Sequence, residues 1–193
     1  VNTQILDGKN LNSKIINFKV TEKPTGEIMA GAGGGTEGGT VFFGVKENNY
    51  LGRGLSVDAN ATLSAETFKG KFSVLNPNYK NSDKSTFLNI QATEIDQLKD
   101  FGYKTNRTGF ELGVGFEYLE DLNLNLSTST FVEKIQTDSS ASTRQKSQAG
   151  NYLDTFVNLN FRLDKRNQKF KTSDGFYVNY DVKLPIVSDT NTL

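Results

Sequence analysis

Apolar and polar residues alternate one for one along most of this chain, and this period restricts the fold more than any other feature. In residues 55–63 every second residue is Leu, Val or Ala, and the residues between them are Ser, Asp, Asn and Thr. The pattern recurs in four later segments, residues 110–118, 122–126, 153–163 and 176–184. A period of two places alternate side chains on opposite faces of a β-strand, whereas a helix requires a period near 3.6. Since no segment shows a convincing helical period, the sequence predicts an all-β fold.

The pattern predicts about nine strands after Gly26, each on the order of 10 residues long. The connections between them alternate in character: residues 48–53, 76–83, 120–121 and 165–174 are rich in turn formers, and residues 97–106 and 138–150 are looser and polar. Tight turns at one end and looser loops at the other are typical of an outer-membrane β-barrel. A soluble β-sandwich or a lipocalin-like barrel also alternates, so the pattern alone leaves these alternatives open.

Two features of the alternating strands favour the membrane. Charged and amide side chains occupy mid-strand positions on the polar face, as a water-filled lumen tolerates. The apolar face carries aromatic residues near several strand ends, where an interfacial girdle would lie: Phe110, Tyr118, Phe161 and Phe176. The apolar fraction is 35%, and no run approaches the roughly 18 apolar residues of a membrane-spanning helix. Alternating strands average to a neutral hydropathy, so this composition is compatible with a β-barrel.

The composition removes most of the usual catalytic chemistry. The chain contains no histidine and no cysteine, which excludes the commonest general base, thiolate nucleophiles and the commonest metal ligands. Its 22 basic residues balance 22 acidic residues, without the basic stripe of a nucleic-acid-binding surface. The sequence therefore predicts a protein that is not an enzyme and that has no metal site, no cofactor and no nucleic-acid partner.

A glycine-rich run matches the letters of a dinucleotide-binding loop at Gly33, Gly35 and Gly38. That loop requires a helix to begin at the last glycine, so that the helix N-terminus faces the pyrophosphate. The residues that follow, TVFFGV, predict a strand instead. We therefore interpret the glycines as part of a β-hairpin.

The first 25 residues are set apart from the long series of strands. Asp7 and Gly8 form a strong turn signal, and residues 16–20 alternate apolar and polar, which together predict a β-hairpin. An isolated hairpin is not stable in water, so we expect this one to be the last piece of a domain whose start is missing. Residues 23–26, KPTG, predict a short linker. Without an initiator methionine or a signal-peptide pattern, the chain is expected to be a mature form or a fragment.

Three blocks of sequence carry a resemblance to a known family. They are VTEKPTGEIMAGAGGGTEGGTVFFGVKENNYLGRG at residues 20–54, FSVLNPNY at residues 72–79 and LDKRNQKFKTSDGFYVNY at residues 163–180. In order and spacing they resemble the BamA-type outer-membrane assembly factors, also called the bacterial surface antigen family, over essentially the whole chain. TamA-like autotransporter assembly factors and two-partner secretion transporters are relatives in the same superfamily and stay open as alternatives.

The resemblance implies that residues 1–25 are the end of the last POTRA domain, in the periplasm. Residues 26–193 would be the first nine strands of a sixteen-stranded antiparallel transmembrane barrel, with a periplasmic turn at 48–53 and the first external loop at 36–39. It implies a place in the cell outer membrane and a role as an insertase component that assists folding and insertion of other outer-membrane proteins. The implied partners are unfolded outer-membrane proteins, membrane lipid and accessory assembly lipoproteins. Because the second half of such a barrel does not follow, we expect no closure and an exposed edge on the last strand.

The resemblance also implies a lateral gate on the first barrel strand. The candidate site residues are Glu27, Ile28, Met29, Ala30, Gly31, Ala32, Gly33 and Gly34. Small side chains pack little and specify strand register weakly, so such a seam could open. Alternatively, the glycines only relieve curvature at a barrel corner. The alternative functions are a secretion transporter of the same superfamily, a passive porin-like pore and a soluble β-domain used for binding.

Overall fold

A separate two-stranded sheet lies at the start of the chain. The structure, a computed structural model, describes residues 2–8, 13–21, 23–35 and 38–189. Strands β1 (Asn2–Asp7) and β2 (Lys14–Lys19) pair antiparallel, and the Gly8 N–H donates to the Ser13 carbonyl at 2.8 Å. The predicted hairpin is therefore present, although most of its turn lies outside the described residues. Its assignment to a POTRA domain that ends at residue 25 stays a prediction.

The remaining nine strands form one antiparallel sheet in which each strand pairs with its neighbours in sequence. They are β3 (Gly26–Gly35), β4 (Gly38–Tyr50), β5 (Leu55–Ser64), β6 (Thr67–Asn76), β7 (Ser85–Gln97), β8 (Tyr103–Leu119), β9 (Leu122–Thr137), β10 (Gly150–Asp164) and β11 (Tyr177–Ser188). The predicted all-β fold and the nine strands after Gly26 are confirmed. Several strands are longer than predicted, up to 17 residues in β8.

The helical segments that the structure describes are confined to connections. They are a 3₁₀ turn (Tyr79–Asn81), α1 (Leu98–Phe101) and α2 (Thr143–Ser147), which begins with a capping box between Ser142 and Gln145. The loose loop predicted at residues 97–106 is wrong, because α1 ends at Phe101, Gly102 is its C-cap and β8 begins at Tyr103. Gly102 has a φ of 72°, the left-handed conformation that lets the chain reverse directly into the strand. The predicted first external loop at 36–39 is also shorter, since β4 begins at Gly38, and residues 36 and 37 lie outside the described residues.

The cross-strand register assembles one apolar face and one polar face across the whole sheet. On the apolar face one row of paired residues runs across all nine strands: Ile28, Val45, Ala59, Phe72, Ile90, Phe110, Thr130, Thr155 and Val187. A neighbouring row lies on the polar face: Glu27, Lys46, Asp58, Ser73, Asn89, Glu111, Ser129 and Phe156. Because side chains alternate along each strand, these rows reproduce the two faces predicted from the sequence.

The apolar face is not covered by any described part of the chain. Val41, Phe43 and Leu112 expose 53%, 54% and 47% of their surface. Among the described residues the buried hydrophobic one is Ala141, which lies in the β9–β10 connection. A soluble sandwich or lipocalin-like barrel buries this face in its interior, and the described residues supply no cover of that kind. None of the described helices is long and apolar enough to cross a bilayer.

Candidate functional site

The predicted gate strand lies at one edge of the nine-stranded sheet. β3 pairs with β4 along its whole length, from Gly26 opposite Glu47 to Gly35 opposite Gly38. Its other side pairs with no described strand. All ten of its residues are exposed, and they include the eight candidates: Glu27, Ile28, Met29, Ala30, Gly31, Ala32, Gly33 and Gly34. The structure thus brings the candidates together on an unpaired edge, and their role as a gate stays a prediction.

The glycines in the C-terminal half of β3 are not required by local geometry, whereas a Cβ at Gly26 would lie 2.8 Å from a Glu47 carboxylate oxygen. A Cβ added at Gly31, Gly33 or Gly34 would meet nothing within 4 Å. None of the three has a positive φ, the other condition under which glycine is needed. In the described chain they neither allow a close approach nor permit a special backbone conformation. Their effect on β3 is that the strand has few side-chain contacts with β4.

The end of the sheet where β3 begins is held by a cluster of hydrogen bonds. We call it the proximal end; it carries Gly26 and the β4–β5, β6–β7, β8–β9 and β10–β11 connections, and the opposite end is the distal end. The Thr25 hydroxyl donates to the Glu47 carboxylate, and the Asn48 N–H donates to the Thr25 carbonyl at 3.3 Å. The same carboxylate accepts from the Asn49 N–H at 2.8 Å. β3 is therefore fastened to β4 at its proximal end and weakly packed toward its glycine-rich distal end.

The polar face of the later strands carries a connected hydrogen-bond network. The Ser127 hydroxyl donates to a Glu111 oxygen at 2.6 Å, and the Asn158 amide donates to Ser127 and Ser129 at 3.1 Å each. Ser127 and Ser129 are buried, with 7% and 3% exposure. These bonds join β8, β9 and β10 through side chains as well as through the backbone.

A second group of amides extends this network to β11. The Asn125 amide donates to Asn160 at 3.0 Å, and the Asn160 amide donates to Asn179 at 2.8 Å and to Asp181 at 2.6 Å. Sequence analysis did not single out these residues, although the signal was present as Asn and Ser at every second position of neighbouring strands. Strands β8 to β11 are thus joined by side-chain hydrogen bonds on their polar face, in contrast to the glycine-rich part of β3.

The described residues contain no group of three or more side chains suited to hold a metal ion. The glycine run that matched the dinucleotide-loop letters is followed by strand β4, not by a helix. What the described arrangement offers chemically is a row of unpaired backbone N–H and C=O groups along β3.

Comparison with known proteins identifies similar chains. The model of the Omp85 superfamily domain matches residues 49–192. The outer membrane protein assembly factor BamA of Neorickettsia risticii (strain Illinois) is 26% identical over 187 residues, which cover 93% of this chain and 24% of that protein. The crystal structure of BamA from Haemophilus ducreyi lacking POTRA domains 1–3 superposes with a TM-score of 0.68 at 20% identity, over 97% of this chain and 39% of that one. The chain thus spans about a quarter of the curated relative, and the structural likeness concerns the fold.

Proposed function

The chain belongs to the Omp85 superfamily of outer-membrane proteins, and from this premise we propose that it helps other β-barrel proteins fold and insert into the outer membrane. Its similarity to assembly factors named BamA supports this role. The partners would be unfolded outer-membrane proteins, membrane lipid and accessory lipoproteins. The role involves strand pairing and no bond chemistry, so the protein is not an enzyme in this proposal.

The proposed mechanism uses the unpaired side of β3 as a template. An unpaired backbone group inside a bilayer costs several kcal/mol, because no water is present to bond it. A strand that arrives unfolded avoids this cost when it adds to an existing edge by β-augmentation. The eight gate candidates, residues 27–34, supply such an edge on the first strand of the barrel wall.

The observation that carries the proposal is the asymmetry of β3. Its proximal end is tied through Thr25 and Glu47, whereas Gly31, Gly33 and Gly34 toward the distal end have open space where side chains would be. A strand built this way keeps its place in the wall while its register and its free side stay adaptable. If the glycines only relieved curvature, we would not expect a strand that is fastened at one end and loosely packed at the other.

The test strengthens β3 without introducing a clash. In the complete gene product, G31V together with G33V adds β-branched side chains, one of them opposite Phe42, where a cross-strand pair contributes about 0.2–1 kcal/mol. We expect the variant to fold but to insert a urea-unfolded β-barrel substrate into proteoliposomes several-fold more slowly. G39V is the matched control, because Gly39 lies on β4 opposite Gly34, which offers the added valine no side chain to pair with, and a Cβ at Gly39 also meets nothing within 4 Å.

An unchanged insertion rate in G31V/G33V would contradict the role of β3. The same vesicles separate the alternative functions. A secretion transporter would move a soluble polypeptide across the bilayer, and a porin-like pore would give a steady conductance, in both cases without folding the β-barrel substrate. Since the chain has no cysteine, A30C also provides a single attachment point in it for disulfide capture of a substrate strand.

A further inference from the structure

The β10–β11 connection at the proximal end presents an exposed aromatic side chain between two cations. Phe170 is 79% exposed, and no described large apolar side chain is more exposed. Lys169 precedes it and Lys171 follows it. The strand-pairing role of β3 does not use this segment, which lies at the opposite side of the sheet, so it requires a separate explanation.

This connection has a defined conformation. The hairpin ladder continues past the strands, since the Lys165 N–H donates to the Phe176 carbonyl at 2.9 Å and the Asn167 N–H donates to the Asp174 carbonyl at 3.1 Å. Gly175 has a φ of 92°, and a Cβ there would lie 2.8 Å from the Arg166 Cα, so only glycine fits.

Side-chain bonds also close the tip of the connection. The Gln168 amide donates to the Lys171 carbonyl at 2.7 Å, and the Thr172 hydroxyl donates to the Gln168 carbonyl at 2.9 Å. Phe170 is therefore held in its exposed position by an ordered turn.

The cations at the tip are available to a partner, unlike those at the base. Lys165 pairs with Asp121 at 2.9 Å, which raises the pKa of the lysine, and Arg166 pairs with Asp164 at 2.7 Å. Lys169 and Lys171 form no ion pair within 4.0 Å among the described residues. The tip thus combines one apolar ring with two positive charges that have no ion-pair partner within 4.0 Å among the described residues, and the Lys171 ammonium lies 6.0 Å from the centroid of the Phe170 ring.

The position of the tip is fixed by the register of the sheet. The last apolar pair of β10 and β11 at this end is Leu163 and Val178, and the pair Lys165 and Phe176 follows it at the boundary of the apolar face. At about 3.3 Å per residue the last bonded pair, Asn167 and Asp174, lies about 7 Å farther along the strands. The headgroup layer of a bilayer is roughly 5–8 Å thick on each side. Because barrel strands tilt by about 35–45°, this separation along the strands corresponds to about 5 Å along the membrane normal. Taking the boundary of the apolar face as the boundary of the hydrocarbon core, we place the tip in the headgroup layer, where lysine side chains reach the phosphates.

Other proximal connections repeat this chemistry along the wall. Leu51 is 73% exposed in the same turn as Arg53, and the Lys80 ammonium lies 5.4 Å from the centroid of the Tyr79 ring, which is 42% exposed. The acidic β8–β9 turn is the exception, and its Asp121 is neutralised by the β10–β11 connection. A repeat of apolar side chains and cations along one end of the wall fits a continuous anionic surface better than one protein partner.

We propose that the tip of the β10–β11 connection, residues 168–172, docks on anionic phospholipid headgroups of the leaflet at the proximal end. Phe170 enters the interfacial layer, where aromatic side chains are favoured, and Lys169 and Lys171 contact the phosphates. The contact fixes the depth and tilt of this part of the barrel wall. It does not depend on the function of β3.

The test uses Phe170 as its own probe in the complete gene product reconstituted in vesicles. This chain contains no tryptophan, so F170W introduces a single one into it, and the signal of the parent protein is subtracted. Phospholipids brominated near the headgroup end of their chains quench a tryptophan in the interfacial layer. A series with brominated phosphatidylglycerol and a series with brominated phosphatidylcholine yield the ratio of the two lipid association constants at the tip.

We expect a ratio that favours the anionic lipid by about fivefold for each lysine, from about 1 kcal/mol per cation at an anionic surface. K169Q/K171Q in the F170W background should lower the ratio to about one while quenching by both lipids persists. R144Q/K146Q is the charge-matched control in α2 at the distal end and should leave the ratio unchanged. If neither brominated lipid quenches the tryptophan, the proposal is overturned in favour of a protein partner. A ratio near one that K169Q/K171Q does not change would also overturn it.

Discussion

Glycine performs two different tasks in this sheet, and the neighbours of each glycine decide which one. On the polar face of β8, a Cβ at Gly113 would lie 2.5 Å from the tip of the Phe87 ring and 2.7 Å from the Leu126 carbonyl oxygen. The absence of a side chain there lets an aromatic ring of the neighbouring strand lie across β8. On β3, the same residue type has open space around it at Gly31 and Gly33. The first task stabilises the wall, whereas the second leaves an edge loosely packed.

This difference predicts opposite responses to the same substitution. G113A forces the Phe87 ring to move and pushes against a backbone oxygen that cannot move, so we expect a loss of about 1–3 kcal/mol in the free energy of unfolding. G33A meets nothing and should change that free energy by less than about 0.5 kcal/mol. Denaturant titration of both variants in the same detergent measures the difference. Equal midpoints would mean that the ring does not use the space above Gly113.

At the scale of elements, the sequence predicted strand interiors well and strand ends poorly. β5 alternates over its whole length, so its two faces follow from the period alone. β7 and β8 continue beyond the alternating region, where Lys104 pairs with Glu94 at 2.8 Å and with Asp96 at 2.9 Å on the otherwise apolar face. Of these residues, Lys104 lay in the loop predicted at residues 97–106. Its ion pairs join two strands, so they cannot be recognised from the sequence of either strand alone. Helices of four or five residues are too short to show a helical period.

The candidate site on β3 was also predicted only in part. A weakly packed first strand followed from its small residues and from the family resemblance. Its fastening to the proximal turn did not follow, since it depends on Thr25 reaching Glu47, 22 residues later in the sequence. Contacts of this kind are set by the turn conformation around Asn48 and Asn49, which the sequence specifies only as polar.

The two faces of a single strand provide a direct test of the architecture. On β6, Val74 lies on the apolar face between Val57 and Leu88, and Ser73 lies on the polar face between Asp58 and Asn89. We expect V74K to destabilise the folded protein in lipid by about 1–3 kcal/mol, because a lysine on the lipid face costs about 2–4 kcal/mol at the middle of a bilayer and less toward the interface, and Val74 lies two residues from the end of β6. S73K should cost less than about 1 kcal/mol, because it places its charge beside an aspartate.

Unfolding titrations of V74K and S73K in the same lipid vesicles measure this contrast. A reversed order of stabilities would mean that the polar face, rather than the apolar face, contacts lipid.

At the scale of the whole molecule, the nine-stranded sheet is a wall that no second layer covers among the described residues. It exposes 14309 Å² of surface, whereas a compact soluble protein of this mass exposes about 9,000 Å². The two broad faces of the nine-stranded sheet contribute to this excess, as does the fully exposed two-stranded sheet. The apolar face exposes side chains such as Phe43 and Leu184, each about half exposed. Lipid can cover that face, while the polar face satisfies many of its own groups through bonds such as Asn158 to Ser129. A transmembrane wall requires an apolar face toward lipid and a polar face whose groups are hydrogen-bonded. The alternating pattern of the sequence provides both.

This architecture predicts that folding depends on an amphiphile. In detergent micelles or lipid, the apolar face is covered, and we expect a β-rich, monodisperse species of the complete gene product. When the detergent is removed, rows of exposed Val, Leu and Phe side chains face water, and an apolar surface of this kind promotes association. Size-exclusion chromatography with light scattering, combined with circular dichroism, follows the transition as the detergent is diluted below its critical micelle concentration. A protein that stays monodisperse and β-rich in detergent-free buffer would require a cover for the apolar face from within the polypeptide, and it would favour a soluble β-domain over a membrane wall.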